Sequence, residues 1–194
     1  MLVNLDTTFA RTVWLDPVPT PPTPGETADL AQLVPSGRVV DRRRRREPGV
    51  AIAVYPQDAD SWVLVVSHAA HDAFPGRLAV TPDSRELVVF DGGQFGACFV
   101  VSLVTGDETR ELDVTELRDV RTFRDPDLLL VVDLDSARAF GEAGFLWETR
   151  RLVLDDLELV SCDGDRLHAK GYGPFGDAEF TIDLTTGAAP DAPI

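Results

Sequence analysis

The chain has 194 residues, of which 44% are hydrophobic, and a formal net charge of −15 at pH 7. This length and composition suit one domain with a substantial core and argue against wholesale disorder. The acidity argues against nucleic-acid and anionic-membrane partners, because both are bound by basic surfaces.

The first 37 residues are predicted to form an N-terminal segment. Two apolar patches, residues 2–5 and 9–15, predict a hairpin. Five prolines within residues 16–24 favour an extended strap, because proline lacks the N–H that a sheet interior needs. Residues 26–34 predict one short helix that ends at Pro35. We therefore divide the chain into residues 1–37 and 38–194, within a single structural domain.

Residues 38–194 predict an all-β fold, an antiparallel meander of hairpins. Short apolar segments alternate with polar positions, and turn residues separate them at intervals of about 8–12 residues. No long amphipathic helix pattern follows residue 35. Outside the repeat described next, the predicted strands are residues 49–55, 61–67, 77–80, 110–114, 120–123, 127–134, 138–140, 144–154 and 157–162.

One stretch occurs twice, at residues 81–106 and 161–187. At offsets of 80 and 81 the two copies share turn residues, alternating apolar positions and a closing Thr-Gly. Each copy predicts a β-hairpin with one apolar face, which it cannot bury without neighbouring strands. Residues 125–149 form a third copy and residues 55–80 a degenerate fourth, with a period of about 40 residues.

Two of these stretches carry a resemblance to known repeats. TPDSRELVVF…FVVSLVTG resembles the blade repeat of WD-type propellers, and ARAFGEAGFLWET resembles the repeat of quinoprotein-like propellers. The resemblance implies a propeller-like arrangement of the hairpins. A β-sandwich built from the same hairpins is the alternative.

The segment from His68 to Asp72 combines side chains that bind metals. His68 and His71 are three residues apart, and Asp72 follows directly. This spacing brings both imidazoles to one face only in a helix, whereas the segment follows a predicted strand. A divalent metal ion at His68, His71 and Asp72 is the one cofactor that the sequence suggests, and a surface loop with hydrogen-bonding histidines is the alternative.

A run of five arginines lies between two acidic residues: Arg42, Arg43, Arg44, Arg45 and Arg46. Five consecutive arginines cannot all face a core, so a solvated loop is the simplest interpretation. The functional alternative is a binding site for an anionic partner or phosphate. Contact with an acidic face of the same chain is also open.

The cysteine content and the N-terminal sequence favour a particular cellular compartment. Cys98 and Cys162 are too few for a disulfide framework, and both are expected to be buried free thiols. The N-terminus lacks a secretory signal pattern, and the longest apolar runs are too short for a bilayer. Of 18 basic residues only Lys170 is a lysine, which is typical of GC-rich bacterial genomes. We expect a cytoplasmic bacterial protein.

The sequence favours a non-catalytic domain. It contains no phosphate-binding loop and no nucleophile elbow, and the Asp133 and Asp135 pair is typical of turn capping. We expect an acidic β domain that binds a protein partner, with a basic partner suited by charge. An inhibitor- or immunity-like role against a basic toxin or nuclease fits this acidity. The alternative is a small metal-dependent enzyme or ligand-binding protein that uses His68, His71 and Asp72.

Overall fold

The structure is a computed structural model that describes residues 3–18, 30–42, 49–67, 76–90, 98–114 and 116–194. The chain is nearly all β, as the sequence predicted. The strands are β1 (Val3–Asp6), β2 (Val13–Pro17), β3 (Arg38–Asp41), β4 (Gly49–Pro56), β5 (Trp62–Ser67), β6 (Gly76–Val80), β7 (Glu86–Phe90), β8 (Cys98–Ser102), β9 (Glu108–Leu112), β10 (Asp119–Arg124), β11 (Asp127–Val132), β12 (Ala137–Gly141), β13 (Gly144–Glu148), β14 (Asp155–Asp163), β15 (Arg166–Gly173) and β16 (Gly176–Asp183). No helix within these ranges is long and apolar enough to cross a bilayer.

The strands form four sheets with the orders β1-β6-β7-β8-β9, β2-β4-β5-β3, β10-β11-β12-β13 and β14-β15-β16. Consecutive strands pair antiparallel within each sheet, which confirms the predicted meander of hairpins. Two pairs, β1 with β6 and β3 with β5, are parallel. The sequence did not predict these parallel pairs, because their partners lie far apart along the chain.

Contacts divide the chain into two compact units, which differ from the predicted segments. Unit 1 comprises residues 1–80 and 84–113, and unit 2 comprises residues 81–83 and 114–194. The N-terminal strands belong to unit 1, because β1 pairs with β6 and β2 pairs with β4. β1 and β2 therefore join different sheets and do not form the predicted N-terminal hairpin.

A small core in unit 1 gathers around β4 and β5. Alternate residues of the two strands pack with Leu30 and Val34. The predicted helix over residues 26–34 is described only at its end, where a 3-10 turn spans Ala31–Leu33. Val34 then adopts an extended backbone, as the residue before a proline is expected to do.

The core of unit 2 joins its two sheets. Leu128, Leu130 and Val132 alternate along β11 and pack against Leu159 of β14 and Ile182 of β16. Leu129 and Val131, which alternate with them, are buried as well, so the apolar run of β11 is covered on both faces, as predicted.

The strand pairs of the repeat at residues 81–106 and 161–187 are confirmed, and residues 91–97 of the first copy lie outside the described residues. The first copy forms β7 and β8 in unit 1, and the second forms β15 and β16 in unit 2. The turn after each second strand is closed by a glycine N–H, which donates 2.8 Å to the oxygen of Ser102 or of Asp183. The weaker copies differ. Residues 125–149 contain three neighbouring strands of one sheet, β11, β12 and β13, whereas residues 55–80 contain β5 and β6, which lie in different sheets.

A tryptophan from another strand of the same unit donates a hydrogen bond to each closing turn. In unit 1 the Trp62 indole N–H donates 3.0 Å to the oxygen of Leu103. In unit 2 Trp147 donates 2.9 Å to Leu184, and its ring lies against Gly187. We call these two sets of contacts the tryptophan locks: Trp62 with Leu103 in unit 1, and Trp147 with Leu184 and Gly187 in unit 2. The lock of unit 1 connects β5 to the turn after β8, and the lock of unit 2 connects β13 to the turn after β16.

Candidate interaction surface

The predicted metal ligands His68, His71 and Asp72 lie outside the described residues, so the metal site stays a prediction. Within the ranges that the structure describes, no group of three or more His, Cys, Asp and Glu side chains is arranged to hold a metal ion.

The predicted partner-binding run is described at one residue only. Arg43, Arg44, Arg45 and Arg46 lie outside the described residues. The Arg42 N–H donates 2.8 Å to the oxygen of Val65, which continues the pairing of β3 with β5. Its guanidinium lies 3.3 Å from the carboxylate of Glu108. For this residue the structure agrees with contact to an acidic group of the same chain.

The paired aspartates have separate structural partners. One oxygen of Asp133 accepts hydrogen bonds from the N–H groups of Glu116, at 2.7 Å, and Leu134, at 2.8 Å. The Asp135 carboxylate lies 2.9 Å from Nε of Arg151. The Asp133 contacts are those of a turn cap, whereas Asp135 forms an ion pair with Arg151.

The two cysteines are free, as expected, but only Cys98 is buried. Cys162 is exposed, which corrects the expected burial, and its Sγ lies 3.5 Å from the oxygen of Gly164. Partial desolvation and the neighbouring Asp163 raise the pKa of Cys162, so the neutral thiol is favoured at neutral pH. This thiol is therefore a weak nucleophile.

The sheet β14–β16 has one buried and one exposed face. Along β15 every second side chain is buried, and the intervening residues point to solvent. The buried face of β15 has glycines at two positions where other parts of the chain pack closely against it. A Cβ on Gly171 would lie 2.6 Å from the side chain of Val153, and one on Gly173 would lie 2.7 Å from Pro193. Period two therefore places His168, Lys170 and Tyr172 together on the exposed face.

Large apolar side chains extend from this sheet into solvent. Gly173 and Gly176 flank a two-residue turn formed by Pro174 and Phe175. The Phe175 ring is 103% exposed at the tip of this hairpin, and Tyr172 is 51% exposed. The pairing of Gly173 with Gly176 fixes the backbone on both sides of Phe175.

Tyr172 also lines an acidic groove, with a volume of about 970 Å³. Its lining has an excess of acidic groups over basic ones. The charged lining residues are Asp155, Asp156, Glu158, Asp177, Glu179, Arg118 and Lys170.

Both basic residues of the groove form ion pairs with acidic residues of β14. Arg118 lies 3.0 Å from Asp156, and Lys170 lies 3.0 Å from Glu158. The hydrogen bond to Glu158 is the main cause that raises the pKa of Lys170, and the charges of Glu158, Glu179 and Asp177 add to it. Asp177 and Glu179 are exposed on the same face, with Glu179 opposite Lys170 across the β15–β16 pair.

The carboxylate of Asp183 accepts the hydrogen bonds that close the turn after β16. One oxygen of Asp183 accepts hydrogen bonds from the N–H groups of Thr185 and Thr186, each at 2.9 Å, and from the Thr185 hydroxyl at 2.6 Å. These bonds lower the pKa of Asp183 below its ordinary value of 3.8. Ser102 takes the same position in unit 1, where its hydroxyl oxygen accepts from the Val104 and Thr105 N–H groups, each at 3.2 Å.

We expect the stabilising effect of the Asp183 charge to disappear in acid. A lowered native pKa stabilises the fold above the unfolded pKa, and this contribution is lost as the pH falls through the native pKa. Asp183→Asn should therefore lower the unfolding free energy at pH 7, and less so at pH values below about 4. Urea unfolding at both pH values measures the difference. Ser102→Ala is the uncharged control, whose cost should not change with pH. A pH-independent cost for Asp183→Asn would contradict the assignment.

Comparisons with known proteins add little to this geometry. No protein-family model and no curated protein matches the sequence. Similar solved structures include dihydro-heme d1 dehydrogenase NirN in complex with DHE, at 15% identity over 75% of this chain and 33% of that chain, with a TM-score of 0.43. A eukaryotic initiation factor matches at 12% identity over 73% of this chain and 38% of that chain, with a TM-score of 0.37. Neither likeness is close enough to bear on function.

Proposed function

We propose that this chain is a non-catalytic protein-interaction domain that recognises its partner through the exposed face of β14–β16. The observation that carries the proposal is the Phe175 ring, fully exposed at the tip of a tight hairpin. Rigid aromatic side chains supply much of the binding energy in protein interfaces. Tyr172 adds a second aromatic ring on the neighbouring strand face.

The charge of the surface defines the partner. Asp177 and Glu179 border the groove together with three further carboxylates, and a partner with a basic face complements them. Opposite charges also accelerate association, most strongly at low ionic strength. Inhibition of a basic toxin or nuclease is one form of this function that suits the acidity of the chain.

Two further features belong to the proposal. The sheets act as blades of a propeller-like arrangement, for which the support is the run of four consecutive antiparallel strands in β10–β13. A sandwich is the alternative. The interaction takes place in the cytoplasm, a reducing compartment in which free thiols such as Cys98 and Cys162 persist.

A partner-capture comparison tests the surface. The wild type, a Tyr172→Ser/Phe175→Ser variant and a Trp14→Ser variant are each immobilised through a terminal tag and exposed to source lysate. Trp14 is the matched control, because it is also a strongly exposed aromatic residue, 70% exposed, but lies in unit 1. We expect a basic protein to be retained by the wild type and the control, and to be lost with the double variant.

The captured protein is then purified and titrated against each variant. Loss of an aromatic anchor typically costs about 2 kcal/mol, which corresponds to a roughly 30-fold weaker Kd. Equal affinity for the wild type and the double variant would exclude this face as the recognition surface, and retention of no protein would count against the proposed function as a whole.

A further inference from the structure

We infer that an arginine side chain of the partner binds in the acidic groove, with its guanidinium stacked on the Tyr172 ring between Asp155 and Asp177. The inference rests on the proposed function and names the chemical group that this surface recognises. It depends on three features of the sheet β14–β16: the charge pattern of the exposed face, the aromatic residue that interrupts this pattern, and the groove that leaves the ring accessible.

The exposed face of the sheet has an acid–base–acid pattern. We call three residues that lie directly opposite one another on β14, β15 and β16 a row. In two rows a basic residue of β15 lies between two acidic residues: Asp163–Arg166–Asp183 and Glu158–Lys170–Glu179. The hydrogen bond to Glu158, at 3.0 Å, and the charge of Glu179 raise the pKa of Lys170. The acidic residues on both sides of Lys170 therefore stabilise its positive charge.

The row at Tyr172 has the two carboxylates but an aromatic residue between them. Asp155 of β14 and Asp177 of β16 lie directly opposite Tyr172. Directly opposite residues of antiparallel strands share a face and lie close together. Because the phenol ring brings no positive charge to this row, a cation from another molecule would complete the acid–base–acid pattern.

Asp155 contacts other groups of the chain through one of its oxygens. Its Oδ1 accepts from the Asp156 N–H at 2.7 Å and lies 3.7 Å from the guanidinium of Arg118. Arg118 lies closer to Asp156, at 3.0 Å, and to Glu116, at 3.3 Å. The distance from Arg118 to Asp155 exceeds that of a hydrogen bond, and a carboxylate has about four acceptor sites, so Asp155 can accept donors from a ligand.

The groove makes the ring and both carboxylates accessible. Tyr172 is 51% exposed, the side chain of Asp155 is 55% exposed, and Asp177 is exposed as well. All three residues line the same cavity of about 970 Å³. Small-ligand pockets have volumes of about 300–1,000 Å³, so this cavity accommodates an arginine side chain.

The width of the row favours arginine over lysine. Neighbouring strands lie about 4.8 Å apart, so the backbones that carry Asp155 and Asp177 are about 10 Å apart, with Tyr172 between them. A guanidinium is planar, stacks on aromatic rings and carries five N–H donors, so it can contact both carboxylates from one position on the ring. An ammonium is a compact, strongly hydrated point charge and can approach only one carboxylate closely.

Short peptides test the preference for a guanidinium. The probe is an end-capped peptide with one central arginine between glycines, titrated to millimolar concentration at low salt and followed by the amide NMR signals of the isotope-labelled protein. One derivative has lysine at the centre, and another has citrulline, which has the shape of arginine without its charge. We expect the arginine peptide to shift the signals of Tyr172 and Asp177. The lysine peptide should bind roughly threefold more weakly, and the citrulline peptide about tenfold or more, as expected for the loss of a charge-assisted hydrogen bond.

A matched pair of variants tests the aromatic ring. Tyr172→Phe keeps the ring, whereas Tyr172→Leu replaces it by an aliphatic side chain. A cation–π contact at an exposed site changes affinity by about two- to fivefold. We therefore expect Tyr172→Leu to weaken binding of the arginine peptide by this factor and Tyr172→Phe to leave it unchanged.

A second pair of variants tests the carboxylate. Asp177→Asn removes one charge from the row, and Asp165→Asn removes the same charge from the exposed turn between β14 and β15, outside the groove lining. We expect Asp177→Asn to weaken binding of the arginine peptide about tenfold and Asp165→Asn to change it little, because a charge-assisted hydrogen bond acts only at short range. Circular dichroism checks that each variant is folded.

The outcomes distinguish the arginine site from the interaction surface as a whole. A preference for arginine over citrulline that Tyr172→Leu and Asp177→Asn both reduce supports the site. Equal binding of these two peptides, or equal effects of the two aspartate variants, would overturn it, and a lysine peptide that binds as tightly would overturn the choice of a guanidinium. Failure of the arginine peptide to bind would also overturn the site, and the partner-capture comparison would still decide the proposed function.

Discussion

Replacement of Trp147 by alanine is expected to lower the unfolding free energy by about 3–5 kcal/mol. The indole is 7% exposed and belongs to the core cluster of unit 2. Its removal leaves a cavity and deprives the buried oxygen of Leu184 of the N–H at 2.9 Å. Both losses affect the turn after β16, so we expect this strand to be destabilised most.

Urea unfolding followed by circular dichroism measures the effect of Trp147→Ala. Trp147→Phe keeps an aromatic ring in the core but removes the hydrogen bond, so its cost should be smaller, about 1–3 kcal/mol. Trp14→Ala is the exposed control, with an expected change within about 0.5 kcal/mol. A cost for Trp147→Ala no larger than that of Trp14→Ala would show that the lock does not stabilise unit 2.

The second large effect is expected for Gly187→Ala. Gly187 has a φ of +72°, and a Cβ at this position would lie 2.7 Å from Cε3 of Trp147. An L-residue pays about 1–2 kcal/mol for the left-handed backbone alone, and the overlap with the rigid indole adds to this cost. We expect a total loss of about 3 kcal/mol or more.

Gly164 is the control for the backbone contribution. It has a similar φ of +58°, but a Cβ there meets no atom within 4 Å. Gly164→Ala should therefore show only the conformational cost of about 1–2 kcal/mol. In a Trp147→Ala background the cost of Gly187→Ala should fall toward that of Gly164→Ala, because the overlap has been removed. Equal costs for the two glycine variants in the wild-type background would rule out the contact with Trp147 as the cause.

The tryptophan locks show how far the sequence predicts this fold. The Thr-Gly turns and the alternating strands around them were predicted, because period two and turn residues are local signals. The locks were not, since Trp62 and Trp147 donate to carbonyl groups 41 and 37 residues further along the chain. Hydrophobic patterns identify such residues as core candidates and carry no information about a partner at that distance.

The proposed interaction surface was not predicted for a related reason. The order Arg166-Leu-His-Ala-Lys-Gly-Tyr-Gly173 already implied one small-residue face and one polar face. The exposure of Phe175 was not predicted, because its place in a turn does not reveal whether the ring is buried. The pairing of Lys170 with Glu158 required the register of β14 with β15, in which these residues lie opposite each other.

The lone lysine in the groove makes the proposed surface chemically addressable. Lys170 supplies the only side-chain amine of the chain, and its side chain is 48% exposed beside Glu158. Amine-reactive tags and surface coupling at side chains would therefore fall on the recognition face and obstruct it. The same selectivity turns reductive methylation or acylation of Lys170, read by mass spectrometry, into a footprint of occupancy: a partner seated on β14–β16 should protect that single nitrogen.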